Sequence, residues 1–451
     1  MTVKNISIIT LGCSKNEIDS ELMAGILKEN NYTITTSLEK ADIIVVNTCG
    51  FIQDAKEESI ETIWEMTKYK NNGTCKYLLL AGCLAERYYK ELLDEIEEID
   101  GIIGTGNIKD IINVINSLEK GQNKIKKIKN IDEKYLEDVK RISFKPTEYV
   151  RISEGCNNYC SYCIIPKVRG KYRSRKMEDI LEEVNYLVNN GVKEIILIAQ
   201  NTTDYGIDLY GEYKLADLLN ELNKIEKLQW IRLLYLYPDN FTKELILAIK
   251  NNKKVVKYVD IPLQHISNPI LKKMNRRTSK ENIIKLINIL RKEIPNIIIR
   301  TTFIVGFPGE DEIHFQELYD FINDIKFDKL GVFTYSREEG TPAYGFDLQV
   351  NEKIKQNRKN KLMELQQGIS YKLNQQKIGK IYLALVEEIH EKGVYIGRTY
   401  MDSPEIDGVV YIYSDKKINI GQYIHVRITD CLEYDLIGEM NDEFSKQDNY
   451  V

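Results

Sequence analysis

The chain has 451 residues, of which 43% are hydrophobic and 29% charged, so two to four packed domains are expected and global disorder is excluded. A net charge of −5 excludes a globally basic nucleic-acid binder, though not a local basic patch. No apolar run approaches the roughly 18 residues of a membrane span, and no secretory signal precedes Ile6-Ser7-Ile8-Ile9-Thr10. A cytoplasmic protein without a membrane partner is the expectation.

Residues 4–118 alternate between strand and helix patterns. Ile6–Leu11 reads as a strand and Glu17–Lys28 as a helix. Ile43–Val46 and Tyr77–Leu80 are buried-strand runs, each followed by a helix (Ile52–Tyr69 and Leu84–Ile96). Gly101–Ile103 and Ile108–Leu118 form a fourth pair. Repeated units of this kind predict a parallel α/β domain over 1–119. Residues 120–146 carry many Lys and no long apolar run, and are expected to be a basic linker.

Strand patterns recur at Glu148–Ile152, Glu194–Ala199, Trp230–Tyr237, Val255–Ile261, Ile297–Val305 and Leu330–Tyr335. Helical stretches lie between them. The pattern predicts a partial (β/α)6 barrel over 147–376, whose chemistry belongs at the C-terminal ends of its strands. A polar helix over Asn351–Gln375 closes that domain. From Lys377 to Val451, four short β-type runs broken by Gly379, Gly393, Gly408 and Gly421 predict a small β-barrel. The overall class is α/β with a C-terminal β module.

Eight Cys stand out, since a reducing cytosol disfavours disulfides. Cys156, Cys160 and Cys163 form C-x3-C-x2-C just after the first barrel strand. Three thiolates on one loop suit an iron–sulfur cluster with one iron left open. A structural zinc site needs a fourth ligand, and no nearby Cys or His offers one. Cys13, Cys49 and Cys83 each follow a predicted strand and each adjoins a Gly. Strand ends of a parallel sheet share an edge, so these three are expected to converge on a second cluster. Buried strand-end Cys are also common as small hydrophobes. Cys75 precedes its strand and Cys431 lies in the last module; both are expected to be structural.

The cysteine loop resembles that of radical S-adenosylmethionine (SAM) enzymes, and the whole chain resembles the methylthiotransferase family. The resemblance rests on Leu11–Glu21, Val46–Ile60, Ala81–Tyr88, Ile152–Arg175, Ile198–Gly206, Asp260–Asn275 and Val332–Tyr344. One branch of that family modifies an adenosine of tRNA; the other modifies an aspartate of the small-subunit ribosomal protein numbered twelve. Gly12-Cys13-Ser14-Lys15-Asn16 is more similar to the protein-modifying branch, although Ser14 and Asn201 stand where that branch commonly has Pro and Asp. The alternative is a tRNA adenosine 2-methylthiotransferase.

The resemblance implies two [4Fe–4S] clusters, one on Cys156, Cys160 and Cys163 and one on Cys13, Cys49 and Cys83. It implies SAM as cofactor, with Tyr162, Gln200, Ile304, Gly306 and Glu310 as contacts, and methylthiolation of an aspartate β-carbon. A flavodoxin-type reducing partner and a sulfur donor are implied as well. The last module resembles a TRAM domain, which binds RNA in the tRNA-modifying branch. Here 377–451 holds eight basic and fourteen acidic residues, a net −6. Such a surface repels RNA and attracts a basic ribosomal protein.

Overall fold

A computed structural model describes residues 4–128 and 141–441. Among the residues read above, Lys129, Lys134, Lys140, Asp442, Glu443, Lys446 and Asp448 lie outside that range.

The first domain is a six-stranded parallel sheet of β1 (Asn5–Thr10), β2 (Thr33–Ile34), β3 (Ile43–Thr48), β4 (Tyr77–Ala81), β5 (Ile99–Ile103) and β6 (Ile125–Lys127). Its spatial order is β2-β1-β3-β4-β5-β6. Side chains alternate between the two faces, as a pleated strand requires. Ile43, Val45, Leu79 and Ala81 pack on one face; Ile44, Val46, Leu78 and Leu80 pack on the other. Strand β6 falls within the range expected to be a linker. It adds three residues to the free edge of β5, and its Ile125 packs on the core. At the far end of the same range Arg141 is buried, bound to Glu148 at 2.6 Å and Glu183 at 3.0 Å.

The central domain is an open barrel of six parallel strands. They are β7 (Thr147–Arg151), then, after a short hairpin of β8 (Ser153–Glu154) and β9 (Arg173–Ser174), β10 (Glu194–Ile198), β11 (Trp230–Leu233), β12 (Val255–Gln264), β13 (Ile298–Val305) and β14 (Lys329–Thr334). Outward residues such as Ile195, Leu197 and Leu233 pack on the surrounding helices. Inward residues such as Ile196, Ile198 and Tyr258 face the lumen, where they meet the last module and Ile18 of the helix Ser14–Glu29.

The last module is a closed five-stranded barrel of β15 (Ile381–Glu391), β16 (Val394–Thr399), β17 (Val410–Tyr413), β18 (Tyr423–Cys431) and β19 (Leu436–Met440). It seats against the N-terminal ends of the central strands. Arg398 pairs with Glu194 at 2.7 Å, and Lys329 with Asp402 at 2.5 Å. The 24-residue helix Glu352–Gln375 runs between the two ends of the central barrel. Its Lys355 donates to the Tyr335 carbonyl at 2.9 Å, and its Asn374 donates to the Leu432 carbonyl at 3.2 Å.

Candidate active site

Strands β1, β3 and β4 are neighbours and end level, with Thr10 opposite Asn47 and Asn47 opposite Ala81. The residues that follow are Gly12-Cys13, Cys49-Gly50 and Gly82-Cys83, so three distant cysteines meet at one sheet edge. Gly12 adopts φ +91°, and a β-carbon on it would lie 2.7 Å from Cys49 Cβ. Only glycine lets that turn pass the cysteine. Asn16 Nδ2 donates to the Leu11 carbonyl at 2.7 Å and the Thr48 carbonyl at 3.2 Å. Asn47 Nδ2 donates to the Asn16 carbonyl at 2.8 Å. The edge is therefore held by side-chain amides. Cys75 lies buried at the opposite end of β4, with its thiol donating to the Tyr77 carbonyl at 3.3 Å. Cys431 is buried in the last module.

The second set sits on the loop after β8. Gly155 adopts φ +77°, and any β-carbon there would strike the Lys171 carbonyl oxygen. The Cys156 N–H donates to the Gly170 carbonyl at 3.2 Å, and the Cys163 N–H to the Cys160 carbonyl at 3.0 Å. The Ser161 N–H donates to the Met274 carbonyl at 3.0 Å.

Four of the six thiols are poor acids. Burial pushes Cys83 up to about 12 and Cys156 up to about 11, and it raises Cys49 and Cys163 as well. Cys160 adds to the rise at Cys163 by charge repulsion. Thiolates in such surroundings need a cation among them, and iron ligated by several soft sulfurs meets that need. Soft sulfur donors of this kind suit iron–sulfur ligation in their chemistry, while among the described residues no three Cys, His or carboxylate side chains are grouped closely enough to hold a single metal ion.

A short helix joins the two sets. Ile164 and Val168, next to Cys163, pack on Cys83. Arg169 then reaches across: it donates to Asn16 Oδ1 at 2.8 Å and pairs with Asp19 and Glu154 at 3.3 Å. Arg151 pairs with the same two carboxylates at 2.6 Å. All four charged side chains are buried.

The remaining expected residues lie on or beside loops that follow the central strands. Tyr162 and Ile304 pack together around Ile270, Met274, Phe307 and Tyr335. Gln200 donates to Glu154 at 2.5 Å, while its buried Oε1 and Asn201 Nδ2 find no partner among the described residues. Gly306, at φ +73°, donates its N–H to Glu310 Oε2 at 2.8 Å. Arg358 holds the other Glu310 oxygen at 2.8 Å. Glu310 is thus turned into its own loop as a brace. His265 accepts from the Ser267 N–H at 3.0 Å, as expected for a loop hydrogen-bonder.

Comparison with known proteins matches three family models in sequence. Residues 5–104 match the uncharacterized protein family UPF0004, 150–322 the radical SAM superfamily, and 378–440 the TRAM domain. The ribosomal protein uS12 methylthiotransferase RimO of Thermoanaerobacter sp. (strain X514) is 53% identical over 97% of this chain and 100% of its own length. The RimO of Clostridioides difficile (strain 630) is 49% identical over 96% and 98%. The chain belongs to the RimO family. Among solved structures, a radical SAM methyltransferase, TsrM of Kitasatospora setae, superposes with a TM-score of 0.57 at 12% identity, covering 84% of this chain and 78% of that one. This likeness is one of fold.

For this RimO-family chain, sequence reasoning missed several residues at the mouth. Nothing in the sequence singled out Asp19, Arg151, Glu154 or Arg169 as one group. Arg175 is likewise buried, against Glu183 at 2.6 Å, whereas Arg173 is only partly covered. Lys15 lies over the Tyr235 ring, 3.1 Å from its centroid. Burial pulls its ammonium down to about 8. Its adjacency to Cys13 was the available signal. Among the described residues, no helix is long and apolar enough to cross a membrane.

Proposed function

We propose that this chain is a radical SAM methylthiotransferase acting on an aspartate β-carbon of ribosomal protein uS12. It holds one [4Fe–4S] cluster on Cys156, Cys160 and Cys163 and a second on Cys13, Cys49 and Cys83. The observation that carries this reading is the contact of Cys83 with Ile164 and Val168, with Arg169 spanning both loops. Two sets of thiols joined through one buried ion group suit a reaction that combines a radical step with sulfur transfer.

When bound, the group on the C-x3-C-x2-C loop supplies reductive cleavage of SAM. The chain does the rest by positioning. Tyr162 and Ile304 offer an apolar wall for the adenine ring. The free Gln200 Oε1 offers an acceptor for the SAM ammonium. Glu310 acts as a positioning residue that fixes the Gly306 turn. Arg151 and Arg169, locked to Asp19 and Glu154, keep the mouth polar yet dry, which protects a reactive intermediate from water. A small reducing protein of the flavodoxin type and a sulfur donor complete the system. The acidic last module favours a basic protein over RNA.

Mass spectrometry of uS12 after incubation with the anaerobically reconstituted enzyme and SAM tests the reading. The expected result is an added methylthio group on one aspartate. Methylthioadenosine in tRNA beside unmodified uS12 would overturn it.

A further inference from the structure

Among the described residues, the carboxylates of Asp19, Glu154 and Asp260 near Lys15 are each already claimed. Asp19 is paired with Arg151 and Arg169. Glu154 is paired with the same two arginines and accepts from Gln200. Asp260 is paired with Arg300 at 3.0 Å and accepts from the Tyr235 N–H at 3.0 Å. Arg300 also faces Asp407 at 3.5 Å, so each of these arginines has a carboxylate partner.

Lys15 is left over. It is 6% exposed, and among the described residues no oxygen accepts from its ammonium. Its one close partner is the face of Tyr235. An aromatic face steadies a cation without cancelling its charge. Tyr235 is itself held rigidly, in a left-handed backbone conformation at φ +60° that side chains seldom adopt. Its N–H is bound to Asp260, and its carbonyl accepts from the Thr202 N–H at 3.0 Å. A buried cation on a strained, fixed support is set up to meet an anion that arrives from outside.

We propose that the Lys15 ammonium binds the side-chain carboxylate of the substrate aspartate. This rests on the uS12 reading above and names the residue that recognises the acceptor. Placement supports it. Lys15 stands two residues after Cys13, its foremost charged neighbour, with Arg169, Glu154 and Asp260 next. A carboxylate seated there brings its adjacent β-carbon between the two sets of thiols. An asparagine in the same place has no charge to offer, so the lysine selects acid over amide.

The test compares the full-length reconstituted wild type with Lys15→Met and Lys15→Arg. Fluorescence anisotropy reads the affinity for a uS12 peptide carrying the aspartate, and for the same peptide carrying asparagine. Methylthiolation kinetics and iron content are measured in parallel. Wild type should prefer the aspartate peptide. Lys15→Met should keep its iron, raise KM for the aspartate peptide on the order of tenfold to a hundredfold, and bind the two peptides equally. Lys15→Arg should recover part of the preference. An unchanged preference in Lys15→Met would overturn the proposal. Loss of about half the iron would overturn it too, by making the lysine a counter-ion of the neighbouring cysteine set. A wild type that leaves uS12 untouched would instead sink the substrate reading itself.

Discussion

Arg151 on the first strand of the central barrel and Asp19 on the opening helix of the first domain meet at 2.6 Å with both side chains buried. Their pairing, shared with Arg169 and Glu154, fixes one cysteine set relative to the other. Asp19→Ala leaves two guanidiniums in a dry site with one carboxylate between them. Breaking a buried pair in this way costs about 3–5 kcal/mol. A lower denaturation midpoint, with reduced methylthiolation, is expected. A midpoint within error of wild type would show that the ion group is not needed for docking.

Glycine at two positions is set by contacts with the cysteine loops. Gly12→Ala forces a β-carbon onto Cys49, and Gly155→Ala forces one onto the Lys171 carbonyl. The first should lower iron in the Cys13/Cys49/Cys83 set alone, and the second in the Cys156/Cys160/Cys163 set alone. Iron counting with electron paramagnetic resonance of each variant distinguishes them. Equal loss in both variants would argue that the two sites assemble as a unit.

The cysteines separate the two halves of the reaction. Wild type reconstituted without oxygen should hold about eight irons. Cys13→Ala should retain about four, keep some SAM cleavage and form no methylthio product. Cys156→Ala should lose cleavage and product together. Full product formation by Cys13→Ala would remove the second cluster from the mechanism.

The seat of the last module should respond to acid. Burial alone would raise the Glu194 carboxyl, but Arg398 and Arg232 outweigh burial and hold it below the usual range. A lowered folded pKa gives stability that is present above the unfolded value of about 4.3 and is lost as pH falls further, through the folded value. Trp230 is buried at this seat against Tyr423, their rings 4.8 Å apart. In a Trp64→Phe background its emission should hold down to about pH 4 and shift below it. Glu194→Gln should flatten that part of the curve. A transition confined to pH above 5 would contradict this assignment.

The first sheet was legible because its central strands are buried on both faces and so read as Ile43-Ile44-Val45-Val46 and Leu78-Leu79-Leu80. The edge strands Thr33–Ile34 and Ile125–Lys127 carry no such pattern, since a solvated edge needs none. The expected helix Leu84–Ile96 is two helices that break at Tyr88, a bend set by packing rather than by Pro or Gly. Leu436–Met440 closes the last barrel but was hidden by Gly438, whose missing side chain makes room for the Arg427 carbonyl and Val426. The cysteines declared themselves by spacing and by neighbouring glycines. The ion group did not, because Asp19 and Arg151 are 132 positions apart and charges read singly look solvated. Lys15 was obscure for the same reason: its burial depends on Tyr235, from another domain.

The last module meets the first residues of the central strands at Thr147, Glu194 and Lys329, and it also enters the lumen, where Asp407 accepts from the Tyr258 hydroxyl at 2.6 Å and the Tyr400 carbonyl accepts from Arg232 at 2.9 Å. At about 3.3 Å per residue, the five- and six-residue strands that begin at Thr147, Glu194 and Lys329 end roughly 16–20 Å from that seat. The module thus plugs the barrel from the end opposite the C-x3-C-x2-C loop, so a substrate that uses the lumen enters from the cysteine side.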